Sequence, residues 1–169
     1  MQDLARGLLI TSLDEQREIA LHKVEGLDDD SLRRRLVPSE TTLLGIIKHL
    51  AYVERWWFQD RFAGRSVSYP WTHENPDADF IVEPEESAEE ILDLYRRECA
   101  ISRDIVASAE LTDAAAHARR TGERPTLMWI MVHMIEETAR HNGHADILRE
   151  QIDGATGDHI VQVALPDEV

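Results

Sequence analysis

Apolar positions recur at helical spacing over four long stretches of the chain, and proline and glycine interrupt the pattern at only a few places. The first stretch predicts a helix from about residue 3 to Val24. Leu13, Ile19, Ala20 and Val24 form its apolar side, and Gly26 supplies a stop. Asp28 to Leu36 predicts one or two further helical turns ahead of Val37-Pro38. The second long helix, within TTLLGIIKHLAYVERWWFQDRFAG, is the clearest: Ser39 or Thr41 caps it and Gly64 stops it. Leu43, Ile46, Ile47, Leu50, Val53 and Trp57 fall on one of its faces. The third opens on a capping box, Ser87 with Glu90, and carries Ile91, Leu94, Tyr95, Ile101, Ile105 and Val106 to about Ala109. The fourth starts at Thr126 and continues to about Ile152, before Asp153-Gly154.

Two connections separate these helices. Residues 65–86 hold Tyr69, Pro70, Trp71, His73, Pro76, Phe80 and Pro84. A connection this long in a compact domain covers a site or crosses the fold. Its aromatics serve either as a lid over a ligand or, more commonly, as a plug for the end of the core. The second connection, Leu111 to Pro125, is rich in alanine and charge. After Gly157 an apolar patch, IVQVAL, predicts an extended segment against the body. Four long helices without a convincing central strand predict an all-α antiparallel four-helix bundle, read as a single domain over 1–169 with the long connection between helices two and three.

Charge narrows the function classes. Thirty-three acidic against 18 basic side chains give a net charge of -15, which repels phosphate backbones and anionic lipid. Nucleic acid and membrane surfaces are therefore poor partners. No apolar run approaches the roughly 20 residues of a membrane span, and the start lacks the basic region of a signal peptide. Cys99 is the only cysteine, so no intrachain disulfide forms and a reducing cytoplasm is the expected location. It lies mid-helix without a catalytic neighbour in sequence, which argues against a nucleophilic role.

Eight histidines are the chain's most informative feature. On a helical wheel, Leu127, Ile130, Met131, Met134, Thr138, Ala145 and Leu148 define the inner side of the last helix, with His141 near its middle. Glu137 lies one turn earlier towards the edge, so both side chains can reach one ion. Burying either group unpartnered costs several kcal/mol or neutralises it. A divalent cation satisfies both, and so does a plain Glu137–His141 hydrogen bond; on this pair alone the two readings stand level. His49, beside the apolar stripe of helix two, can point between helices towards the same place. Three protein ligands leave a position open, as in catalytic zinc sites. His133 and His144 flank the inner side, as partners that orient a ligand or as a replacement for Glu137. His22, His73, His117 and His159 fall on exposed faces, loops or the tail, and Trp56-Trp57 and the methionines of MWIMVHM read as core packing. Walker A, GxGxxG, GxSxG and HExxH motifs are absent.

The segments GLDDDSLRRRLVPSETTLLGIIKHLAYVERWWFQDRFAG and MWIMVHMIEETARHNGHADILREQIDGATG resemble the DinB-like superfamily. They are most similar to the actinobacterial branch related to mycothiol-dependent maleylpyruvate isomerase and the mycothiol S-transferases. The resemblance implies a four-helix bundle with one metal held by His49, Glu137 and His141. Zinc is the metal usually implied and nickel the alternative, and members often form homodimers. It further implies a metal-dependent thiol S-transferase: mycothiol or a similar small thiol, bound to the metal as thiolate, attacks an electrophilic small molecule. Glu137 would reduce the positive charge of the site. Arg124 or Arg140 are candidates for meeting an anionic substrate group, although surface charge is the commoner role. Two other classes stand beside this one. One is a stress-related metal-binding protein without turnover; the other is a metal-assisted hydrolase with Glu137 or His133 handling protons.

Overall fold

The structure, a computed structural model, describes residues 2–157; the expected extended segment after Gly157, and His159, lie outside them. Among the described residues the chain is helical, with one isolated bridge between Ala114 and Thr126 and no strand. Helix α1 spans Gln2–His22, a single short turn α2 spans Asp29–Leu32, α3 spans Leu43–Glu54, α4 spans Ala88–Ala107 and α5 spans Leu127–Asp153. Helix α3 continues without a break into a π-helix, Arg55–Phe62. The expected bundle is thus present, with α1 packed on α5 and α3 packed on α4 and α5.

Local chemistry sets the helix ends. Thr42, not Ser39 or Thr41, caps α3: its hydroxyl accepts from the Gly45 N–H at 3.0 Å. Ser87 and Glu90 form the expected capping box of α4, and Thr126 caps α5. Gly154 ends α5 in the left-handed region at φ 80°, a conformation that only glycine adopts without strain.

The core has two parts. One gathers Leu43, Leu44, Ile47 and Leu50 of α3 with Ile91 and Tyr95 of α4, and Ala145 and Leu148 of α5. The other joins Leu13 of α1 and Phe58 of the π segment to Ile130, Met131 and Met134 of α5. Met128 is exposed, so the methionines of MWIMVHM are not all core. Between the helices lies a buried ion pair: Arg17 donates from Nε and Nη2 to the two oxygens of Glu54 at 2.8 and 2.7 Å. Losing one partner of such a pair strands the other charge in the interior, at about 3–5 kcal/mol.

The first connection, 65–86, is fastened to α3. Lys48 Nζ donates to the Ile81 carbonyl at 2.6 Å and to Glu86 at 2.7 Å. One turn earlier Gly45 lets the backbone of Phe80 approach: a Cβ there would fall well inside contact distance of the Phe80 carbonyl oxygen. Gly45→Ala must therefore displace this stretch, and we expect a loss of about 1–3 kcal/mol, the usual cost of overpacking. Urea unfolding followed by far-UV circular dichroism measures it; an unchanged midpoint would mean that the connection yields freely.

Candidate metal centre

The side chains of His49 from α3 and of Glu137 and His141 from α5 meet at the edge of the bundle core. One ligand atom from each lies within 4.8 Å of the other two. His141 Nε2 is 3.2 Å and His49 Nε2 is 3.6 Å from the same oxygen, Oε1 of Glu137. The Glu137 carboxyl is held well below the ordinary carboxylate range by its hydrogen bond to His141 and then by the His49 ring close by, which outweigh its partial burial. Burial works against a charge on His49, but the hydrogen bond to Asp79 and the nearby Glu137 carboxylate prevail and raise its pKa.

Asp79 had no place in the sequence-based site. Its carboxylate, almost fully buried, accepts from His49 Nδ1 at 2.8 Å. That bond puts the proton on Nδ1 and turns the Nε2 lone pair towards Glu137. Nε2 is buried and has no hydrogen-bond partner. A neutral His49 therefore sets two acceptors, Nε2 and Oε1, against each other with nothing between. A proton or a metal cation removes the conflict, and the nitrogen and oxygen donors suit zinc or nickel. His141 Nδ1 is likewise buried without a partner. Phe80 stacks on His49 with ring centroids 4.0 Å apart, fixing the ring plane. Asp79 and Phe80 lie in an irregular loop between Pro76 and Pro84, where no periodicity tells which way a side chain points.

The other sequence candidates lie outside this cluster. His133 stacks on Trp129 at 5.0 Å and meets Trp57 edge-on at 4.7 Å. Burial lowers its pKa and favours the neutral ring. His144 is exposed and touches His141 edge-on at 5.5 Å. Arg140 faces the second oxygen of Glu137 at 3.5 Å from an exposed position, and Arg124 donates to the Ala115 carbonyl.

A cleft of about 310 Å³ adjoins the triad, bordered by His49 and Glu137 themselves. Val53, Trp56 and Trp57 form one side; Trp71, Pro76 and Phe80 come from the first connection. The connection thus borders the cleft with Trp71, Pro76 and Phe80, while Phe80 and Val82 also pack against the core. Trp56 and Trp57 also do more than fill the core. Their segment winds as a π-helix, a form that concentrates at functional sites, and both indoles reach the cleft although they are adjacent in sequence. A larger cleft of about 680 Å³, between α1, α2 and α4, includes none of the triad residues.

These features define a DinB-like helical bundle with a His/Glu/His cluster opening on an aromatic cleft. The mycothiol-S-transferase family model matches residues 8–154, and the chain belongs to that family. A crystal structure of a conserved protein from Enterococcus faecalis superposes with a TM-score of 0.64 at 15% identity, covering 92% of this chain and 98% of that one. At that identity the likeness concerns the fold alone. No curated protein matches the chain. No helix among the described residues is long and apolar enough to cross a membrane.

Cys99 is buried, and its thiol is pushed far above the ordinary range by burial and then by the neighbouring Glu54 carboxylate. It should resist iodoacetamide at pH 8 in the folded protein and react once urea unfolds it, as read by mass spectrometry. Rapid native labelling would reopen a role for it.

Proposed function

We propose that the chain is a metal-dependent thiol S-transferase in which His49, Glu137 and His141 hold one divalent cation, zinc in the first instance. A low-molecular-weight thiol, mycothiol or a close equivalent, attacks an electrophilic small molecule held in the adjoining cleft. The observation that carries this reading is the His49 Nε2 atom, buried, unpartnered and turned towards Glu137 Oε1 by the Asp79 bond behind it. A cation bound there supplies the lowering of a thiol's pKa that makes its sulfur nucleophilic near neutral pH.

The chain's own groups do the rest. Asp79 fixes the tautomer and, with Phe80, the plane of His49. Glu137 offsets part of the positive charge, while the indoles and Phe80 exclude water from one side of the site. A metal sealed inside the bundle would suit a binding protein without turnover. A cleft with aromatic walls beside the triad favours instead a reaction with an organic ligand. Family membership points to mycothiol as the thiol, and the buried Cys99 leaves that sulfur to come from a second molecule. The reducing cytoplasm is where such a thiol is kept reduced.

Elemental analysis of the purified protein should give about one metal per chain, and His49→Ala and His141→Ala should lose it while keeping their helical circular dichroism. Asp79→Asn should retain the fold and weaken zinc about 10–100-fold in competition with a chromophoric chelator. Full metal in both alanine variants would overturn the ligand set. Metal with no calorimetric binding of mycothiol would move the function to a metal-binding module.

A further inference from the structure

The cleft beside the triad has no lysine or arginine in its lining. Beside the imidazoles of His49 and His133, its ionisable groups are all carboxylates: Asp77, Asp79 and Glu137. Set against these three, a divalent cation leaves the lining with one net negative charge. Arginines in the surroundings do not line it: Arg119 lies over the Trp129 ring at 4.2 Å, behind Trp57 and His133. Arg61 lies over the Trp56 ring at 5.1 Å and donates to the Ala118 carbonyl. Arg140 pairs with Glu137 Oε2 and is two-thirds exposed to water, where its charge is screened. A net charge of -15 over the chain adds to the repulsion of any anion that approaches.

The apolar walls are flat rings held firmly in place. Trp71 is stacked on Tyr69 at 4.4 Å and braced edge-on by Tyr52 and Trp56 at 6.1 and 6.5 Å. Trp57 is braced by Trp129 at 5.5 Å and by His133 at 4.7 Å. Indoles fixed in this way are preorganised for a ligand with its own π face. At about 310 Å³ the cleft is at the small end of ligand sites, with room for one ring system and not for that ring plus a pseudo-disaccharide thiol. The sugar end of the thiol is then left in solvent.

We propose that the electrophile taken by this cleft is an uncharged, planar aromatic molecule, and that carboxylate-bearing electrophiles are excluded. The proposal rests on the transferase reading above. An anionic group in the cleft would meet carboxylates and indole faces, and its one positive neighbour, the cation, is already outweighed by those carboxylates, whereas a neutral ring loses little hydration on entering.

The test uses two electrophiles of the same shape that differ in charge, 4-chloro-3-nitrobenzamide and 4-chloro-3-nitrobenzoate, with zinc-loaded protein and mycothiol. In each conjugation the thiol sulfur forms a bond to the chlorine-bearing ring carbon, chloride leaves with the C–Cl electron pair, and the thiol proton passes to buffer. With each rate divided by its uncatalysed rate, the amide should be favoured by at least about tenfold in kcat/KM, and Asp77→Lys should narrow the gap. Calorimetry with the unreactive 3-nitrobenzamide and 3-nitrobenzoate reads the same preference without turnover. Equal normalised rates, or a preference for the carboxylate, overturn the substrate class and leave thiol transfer standing. Selective binding of the amide with no conjugation of either chloride upholds the cleft's preference and sinks the transferase reading. Binding of neither analogue overturns the proposal.

Discussion

A single carboxylate oxygen, Oε1 of Glu137, faces the Nε2 atoms of two imidazoles that belong to different helices. None of the three side chains is well hydrated, so their charges must balance among themselves. One positive charge between Glu137 and His49 satisfies the group; without it a lone pair faces a carboxylate. The lowered pKa of Glu137 and the raised pKa of His49 express the same demand. The packing of α3 near α5, and the contacts of the first connection with α3, bring these atoms together.

The connection is part of the site and not a cover laid over it. Gly45, Lys48 and His49 occupy one turn of α3, and each receives the same stretch of chain. Gly45 admits the Phe80 backbone, Lys48 ties down Ile81 and Glu86, and His49 is gripped by Asp79 and Phe80. The stretch that orients His49 therefore also supplies Trp71, Pro76 and Phe80 to the cleft. Disturbing it changes the surroundings of His49 and the shape of the cleft together, so on the transferase reading metal affinity and ligand selectivity are coupled through one loop.

The sequence carried the bundle and most of its site because both obey helical periodicity. Every position placed on the inner side of the last helix, from Leu127 to Leu148 with His141 among them, is buried. Glu137 and His49 sit at the edges of their apolar stripes, where a side chain can reach an interior ion and still border a cleft. What escaped was non-periodic. Asp79 is one of several acidic residues in a loop, and only the fold shows that it is buried against His49. The π-winding of Arg55–Phe62 leaves no mark in composition, so Trp56 and Trp57 read as ordinary core. Thr42 lost the capping position to Thr41 in sequence because the two residues are chemically identical and only backbone geometry separates them.

On the transferase reading, the placement of the sulfur chemistry follows from where the chain can hold a thiolate. Cys99 sits in the interior beside the Arg17–Glu54 pair, where burial and the Glu54 carboxylate both oppose ionisation. Arg17 is already engaged by the two oxygens of Glu54 and by Asp14, which leaves little of its charge for a thiolate. The triad has the opposite character: it already draws positive charge and lies open on one side to a cleft. A sulfur delivered from solution can meet that charge there, and the one resident sulfur cannot. On the transferase reading the fold therefore separates two tasks. The triad activates whichever small thiol reaches it, and the aromatic, carboxylate-lined cleft decides which electrophile that thiol meets.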